Sequence, residues 1–158
     1  MKGIDGKIST AKSKYELIKQ IGIPDEINTL LNELKFYISE ANKERRSIGM
    51  SEICFLCGTK EVPCCGSGIE LKYSSELLLV NMLFGVHMPQ GQEFVDRCFF
   101  LKKNGCCLFA RDVFCINFVC NKIQEKLSIN HLKRLRYFEG KQLNLQFIIE
   151  EKLKKLFS

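Results

Sequence analysis

The nine cysteines are the feature that most constrains this chain, because all of them lie between Cys54 and Cys120 in a sequence of 158 residues. Four fall within the stretch CFLCGTKEVPCC, residues 54–65, and the other five lie in RCFFLKKNGCC and FCINFVC further along. Free cysteine often packs like a small hydrophobe. Packing alone does not explain why the two flanking regions contain no cysteine, so the sequence predicts a shared role for the set.

The compartment decides how these thiols are interpreted. No apolar run approaches the ~20 residues that span a bilayer, and the start, MKGIDGKISTAKSKYE, lacks the apolar stretch of a secretory signal. We therefore expect a cytoplasmic protein without a membrane partner. Cytosolic thiols are kept reduced, so dense cysteine there indicates metal binding or redox chemistry, with a disulfide framework as the less favoured alternative.

The segment before the cysteines has the periodicity of helices. Residues 24–46 place apolar side chains at steps of three and four, and Pro24 and Asp25 suit a first turn. A shorter helix is predicted for residues 14–21, closed by Gly22. The apolar face of the longer helix comprises Ile27, Leu30, Leu31, Leu34, Tyr37, Ile38 and Ala41.

Helices are also predicted after the first cysteine group. We expect a short extended piece through Leu71, then a helix capped by Ser74 and ended by Gly85. Near the C-terminus, Asn130 is the predicted cap of a helix that Gly140 interrupts before the helical period resumes.

Together these patterns predict a mainly α fold: a small single domain with an irregular cysteine-rich metal-binding centre flanked by helical arms. Residues 1–50 are the predicted helical arm, residues 54–121 the cysteine-cluster metal-binding region, and residues 122–158 the basic C-terminal helices.

The net charge of +6 is concentrated near the C-terminus, since residues 121–158 hold nine Lys or Arg and four acids. Four thiolates around Zn²⁺ or a [4Fe–4S]²⁺ cluster would carry a net charge of about −2 and reduce the total. We therefore do not expect nucleic-acid binding. The run Lys152, Lys154 and Lys155 is interpreted as a solvated helix face near the negative end of the helix dipole.

The spacing of the cysteines indicates which sulfurs can share an ion. Cys54 and Cys57 form a C-x-x-C pair, whose loop lets two sulfurs reach one metal. Adjacent cysteines such as Cys64 and Cys65 point in divergent directions in extended backbone. Each adjacent pair therefore favours one ligand, together with one packed or second-site thiol.

The order of these motifs resembles the YkgJ-type cysteine-cluster family, described as zinc- or iron-chelating domains. The resemblance covers residues 54–121, with six residues between the C-x-x-C and C-C pairs where the family usually has three. The matching residues are Cys54, Cys57, Cys64, Cys65, Leu71, Glu76, Cys98, Phe100, Leu101, Gly105, Cys107, Arg111, Cys115 and Cys120.

This resemblance implies a bound metal, either zinc ions or an iron–sulfur cluster, but no particular reaction. The candidate ligands are Cys54, Cys57, Cys64, Cys65, Cys98, Cys107, Cys115 and Cys120, whereas Cys106 is assigned to packing. We predict a structural metal and no catalytic residues. Two alternatives stay open: an iron–sulfur protein for electron transfer or redox sensing, and an accessory to a protein-modifying enzyme, which would require a protein partner.

Other candidate residues are given structural roles. His87 lies in a predicted loop before Pro89 and His131 lies among basic residues, so neither is expected to be a ligand. The aromatic residues interleaved with the cysteines are interpreted as a dry shell around the metal. They are Phe99, Phe100, Phe109, Phe114 and Phe118.

Overall fold

The computed structural model of the protein describes residues 3–47, 49, 66–117 and 128–158. Its helices and strands, in chain order, are α1 (Ile4–Ile21), α2 (Asp25–Ser47), a 3₁₀ turn (Ile69–Lys72), α3 (Ser75–Leu83), β1 (Leu101–Lys102), β2 (Gly105–Cys106), α4 (Val113–Asn117) and α5 (Ile129–Leu156). The prediction of a mainly α protein is confirmed.

The two N-terminal helices match the apolar periodicity. The expected apolar face of α2 is confirmed, since five of its seven positions are buried and Leu30 and Tyr37 are half-buried. Helix α1 ends at Gly22 as predicted, with φ +84° and its N–H donating to the Ile18 carbonyl. However, α1 begins ten residues before the predicted start, at Ile4. Its early residues include Ile8 and Ala11, which are buried and hold that part of the helix against the core.

The signals around α3 are also confirmed. The Ser74 hydroxyl accepts a hydrogen bond from the Leu77 N–H at 3.0 Å, and Gly85 follows the helix with φ +90°. The prediction of an extended piece through Leu71 was wrong, because Ile69–Lys72 form a 3₁₀ turn. This turn starts after Gly68, whose φ of +95° redirects the chain.

Helix α5 differs most from its prediction. Ser128, not Asn130, is the N-cap, and its hydroxyl accepts from the His131 N–H. The helix continues through Gly140 without interruption. A glycine inside a helix costs about 1 kcal/mol relative to alanine, and burial of Leu135, Leu145 and the residues around them offsets that cost.

The helices enclose one hydrophobic cluster. Helix α2 packs along α5, and α1 packs against α3. The loop residues Phe99, Phe100 and Leu101 are buried in the same cluster, which joins the cysteine-containing loops to the helices. No helix in the described part of the chain is long and apolar enough to cross a membrane.

A buried ion pair fixes α5 relative to α2. The Arg45 guanidinium lies 2.6 Å from the Glu139 carboxylate, and the two side chains are 8% and 2% exposed. Arg136 approaches the other oxygen of Glu139 at 2.9 Å, while Arg45 also donates to the Asn42 side chain at 2.7 Å. Glu139 therefore neutralises charge from two arginines in an environment with little water.

Removing this carboxylate charge should destabilise the protein strongly. We expect Glu139→Gln to lower the free energy of unfolding by about 3 kcal/mol, because a buried ion pair that loses one partner leaves uncompensated charge behind. Urea denaturation measures the change. The control is Glu151→Gln, which breaks an exposed pair with Lys154 and should change stability by no more than about 0.5 kcal/mol. Equal effects of the two substitutions would contradict this account.

Candidate metal centre

Four of the nine cysteines lie within the described residues, and all four have free thiols. Cys98 precedes the β1–β2 hairpin, Cys106 ends β2, Cys107 follows it, and Cys115 lies in α4. The expected ligands Cys54, Cys57, Cys64, Cys65 and Cys120 lie outside the described residues, as does Phe118.

The hairpin separates the two adjacent cysteines. In its antiparallel register Leu101 pairs with Cys106, so the two side chains project from the same face. Leu101 and its neighbour Phe100 are both buried, so each face of the hairpin is covered, and Cys106 and Cys107 are both half-buried. Cys107, one residue later, is expected to project from the other face, and its N–H donates to the Phe100 carbonyl at 2.9 Å.

The described thiols influence one another electrostatically. Burial, with smaller contributions from the neighbouring sulfurs of Cys106 and Cys115, raises the pKa of Cys98 to about 12. Burial likewise raises the pKa of Cys107 to about 11, with Cys106 as the next contributor. Cys106 also acts to raise the pKa of Cys115. Cys106 therefore interacts with each of the other three, whereas Cys107 shows this interaction with Cys106 alone.

Cys115 has the most polar surroundings of the four. Burial raises its pKa, but a hydrogen bond from Tyr73 and the charge of Arg111 act in the opposite direction. The Tyr73 oxygen lies 3.6 Å from the Cys115 sulfur. The tyrosine is only 1% exposed, and burial raises its pKa far above the ordinary value.

Helix α5 holds the segment that carries Cys115. The Gln146 side chain donates to the Arg111 carbonyl at 2.8 Å, and Arg136 donates to the Ile116 carbonyl at 3.2 Å. Arg111 itself donates to the Cys115 carbonyl at 3.5 Å. These bonds satisfy backbone groups in a segment whose own helix, α4, has only five residues.

Asn81 is a positioning residue that the sequence reasoning missed. It is fully buried on α3, and its side-chain oxygen accepts from the N–H groups of Phe109 and Ala110 at 2.8 Å each. Its amide nitrogen donates to the carbonyls of Leu77 and Ala110. The available signal was a single asparagine within the apolar run LLLVNMLFGV, where a polar side chain requires buried partners.

The remaining candidates have varied positions. His87 and His131 are exposed. Phe99 and Phe100 are buried and meet edge to face, and Phe109 is half-buried, but Phe114 is 44% exposed. The Phe114 ring lies beneath the Lys72 ammonium, and the interpretation of the aromatic residues as a dry shell around a metal stays a prediction.

The donor chemistry suits a thiophilic metal, although the described ligand set is incomplete. Thiolates favour zinc and iron–sulfur clusters. A cation would offset the repulsion that arises among Cys98, Cys106 and Cys115 when they ionise to thiolates. Within residues 3–47, 49, 66–117 and 128–158, no group of three or more His, Cys, Asp or Glu side chains is placed to hold a metal ion. The described cysteines thus form a neighbourhood of thiols and not a closed coordination site.

Comparison of the chain with protein-family models, curated proteins and solved structures finds no match. The resemblance to the YkgJ-type family therefore stays a prediction based on the cysteine pattern.

Zinc affinity should increase with pH through the neutral range. The pKa values of Cys98, Cys107 and Cys115 lie above their ordinary values, so the metal-free thiols are protonated at pH 7. A metal must displace a proton from each thiol that it binds. We expect the logarithm of the zinc association constant to rise with pH between 6 and 8, at a slope greater than about one. Competition with a chromophoric chelator measures the slope, and a zero slope would exclude thiol coordination.

Proposed function

We propose that the protein binds a metal through its cysteines, either zinc ions or an iron–sulfur cluster, and that this metal has a structural role in a reducing, cytoplasmic environment. The carrying observation is that the fold brings sulfurs from three separate parts of the chain, those of Cys98, of the adjacent pair Cys106 and Cys107, and of Cys115, close enough to influence one another's ionisation.

A backbone contact links this neighbourhood to the first cysteine group. Gly66 forms an antiparallel bridge with Arg97. Gly66 follows Cys65 directly in the sequence, and Arg97 directly precedes Cys98. Opposed residues in such a bridge have Cα atoms about 4.5–5.5 Å apart. The bridge supports a site that takes ligands from both cysteine groups.

The local structure favours a structural role for the metal. Between the end of α3 and the start of α5, the regular elements in the described part of the chain are two strands of two residues and one helix of five. The described residues of this segment have few backbone hydrogen bonds within regular elements to offset the entropy of ordering them. Metal coordination would supply that free energy, as it does in small zinc domains.

The ligands of the proposed site are Cys54, Cys57, Cys64, Cys65, Cys98, Cys107, Cys115 and Cys120, and the hairpin geometry adds Cys106 to these candidates. If the metal is an iron–sulfur cluster, the same thiolates also suit electron transfer or redox sensing, because burial of the cluster would adjust its potential. This is the alternative function. The thiol neighbourhood supports both functions, since zinc and iron–sulfur clusters prefer the same soft ligand.

Metal content tests the proposal directly. We expect anaerobically purified protein to contain either stoichiometric zinc without colour, or iron and sulfide with broad absorption near ~400 nm. Removal of the metal by excess chelator should lower the thermal midpoint, because binding free energy contributes to folding. Reduced protein that contains neither zinc nor iron, and whose thermal midpoint does not change in chelator, would contradict the proposal.

Single substitutions test which cysteine of the adjacent pair is a ligand. If Cys106 is the ligand, as its proximity to both Cys98 and Cys115 favours, Cys106→Ser should lower zinc affinity by more than about 100-fold, the upper range for changes outside the coordination shell. Cys107→Ser serves as the matched control, with the same chemical change one residue away. The family resemblance predicts the reverse order. Equal affinity of both variants and the unmodified protein would exclude this pair from the site.

A further inference from the structure

The Tyr73 hydroxyl donates a hydrogen bond to the sulfur of Cys115, a candidate ligand. Tyr73 connects the 3₁₀ turn to α3, and its backbone is extended with φ −73° and ψ 134°. Its ring meets that of Phe100 edge to face at 5.2 Å between centroids. This packing directs the hydroxyl oxygen to a point 3.6 Å from the Cys115 sulfur.

We propose that Tyr73 is a positioning and tuning residue of the metal centre, and that it acts by donating a hydrogen bond to the metal-bound thiolate of Cys115. The inference rests on the proposed function, because it requires Cys115 to be a ligand. It adds a residue that is absent from the predicted ligand set and assigns it a chemical role.

The direction of this hydrogen bond follows from the donors present. A tyrosine hydroxyl has one hydrogen, and a metal-bound thiolate has none to give. A metal-bound Cys115 sulfur can therefore only accept in this contact, and the Tyr73 hydroxyl donates.

Such a bond would change the electronic properties of the metal centre. Hydrogen bonds to ionised acceptors are about twice as strong as neutral ones, and Tyr73 is too buried for water to replace it readily. Donation to the sulfur stabilises its lone pairs and reduces the charge that it transfers to the metal. Partners outside the coordination shell commonly alter metal affinity by about 10–100-fold.

Cobalt(II), which reports on thiolate ligands through its near-ultraviolet charge-transfer band, provides the test. In Tyr73→Phe the ring remains and only the oxygen is lost, so packing in the core is largely retained. We expect the band to move to longer wavelength, and cobalt affinity to fall at least about 10-fold. Tyr37→Phe is the control, since it removes the same atom from a half-buried tyrosine on α2, and it should change neither quantity.

The outcomes separate this inference from the proposed function. If the unmodified protein binds cobalt through thiolates and Tyr73→Phe has the same spectrum and affinity, Tyr73 has no tuning role while the metal centre stands. If the unmodified protein gives no thiolate band with cobalt and, as purified, contains neither zinc nor iron, the proposed function fails first.

A second measurement covers the case in which Tyr73→Phe does not fold. The chain has four tyrosines, and they can all be replaced biosynthetically by 3-fluorotyrosine, which retains the hydroxyl and makes it a stronger donor. We then expect the charge-transfer band to move to shorter wavelength. An unchanged band in the folded, fluorinated protein would also overturn the inference.

Discussion

The ion pair between Arg45 and Glu139 determines where the longest helix lies, and the cysteine-containing segment depends on that position. Helix α5 is joined to α2 by apolar packing, but apolar contacts alone allow a helix to slide or rotate at small cost. The buried Arg45–Glu139 pair favours one register and one rotation of α5 on α2, because a displacement would leave uncompensated charge in an apolar environment. With α5 fixed, Arg136 and Gln146 meet backbone carbonyls on either side of Cys115.

A second constraint is the electrostatic cost of gathering thiols away from water. Burial favours the protonated form of Cys98, Cys107 and Cys115, and neighbouring sulfurs add to this preference. Without a cation, the neighbourhood is a set of neutral thiols that pack as small apolar groups. A divalent ion reverses the balance, since its charge stabilises the thiolates that the protein alone disfavours. The arrangement of the hairpin and α4 is therefore compatible with both states.

The helices were largely predictable, because apolar periodicity and caps are local signals. Helix α2 and the Ser74 cap follow from neighbouring residues alone. Helix α5 continues through Gly140 because its packing against residues distant in the sequence outweighs the cost of about 1 kcal/mol for a glycine inside a helix. Local helix propensity therefore gave the wrong prediction. The site was predictable in its chemistry but not in its geometry. The hairpin register that pairs Cys106 with Leu101 includes Gly105, whose φ is +105°, and cysteine spacing alone could not indicate which thiols this register brings near Cys106.

The surroundings of the described sulfurs are unequal, and this inequality bears on which metal the centre suits. Cys115 has a phenol donor and the charge of Arg111 nearby, both of which stabilise negative charge on its sulfur. Cys98 has a backbone hydrogen bond near Phe100, but Glu70 and two thiols act against its ionisation. A structural zinc site requires only that the total charge be balanced. An iron–sulfur cluster would also be affected by how the stabilising groups are distributed among the sulfurs, because hydrogen bonds to individual sulfurs help to set its reduction potential. The Tyr73 hydroxyl that donates to Cys115 would therefore affect folding if the metal is zinc, and the reduction potential if it is an iron–sulfur cluster.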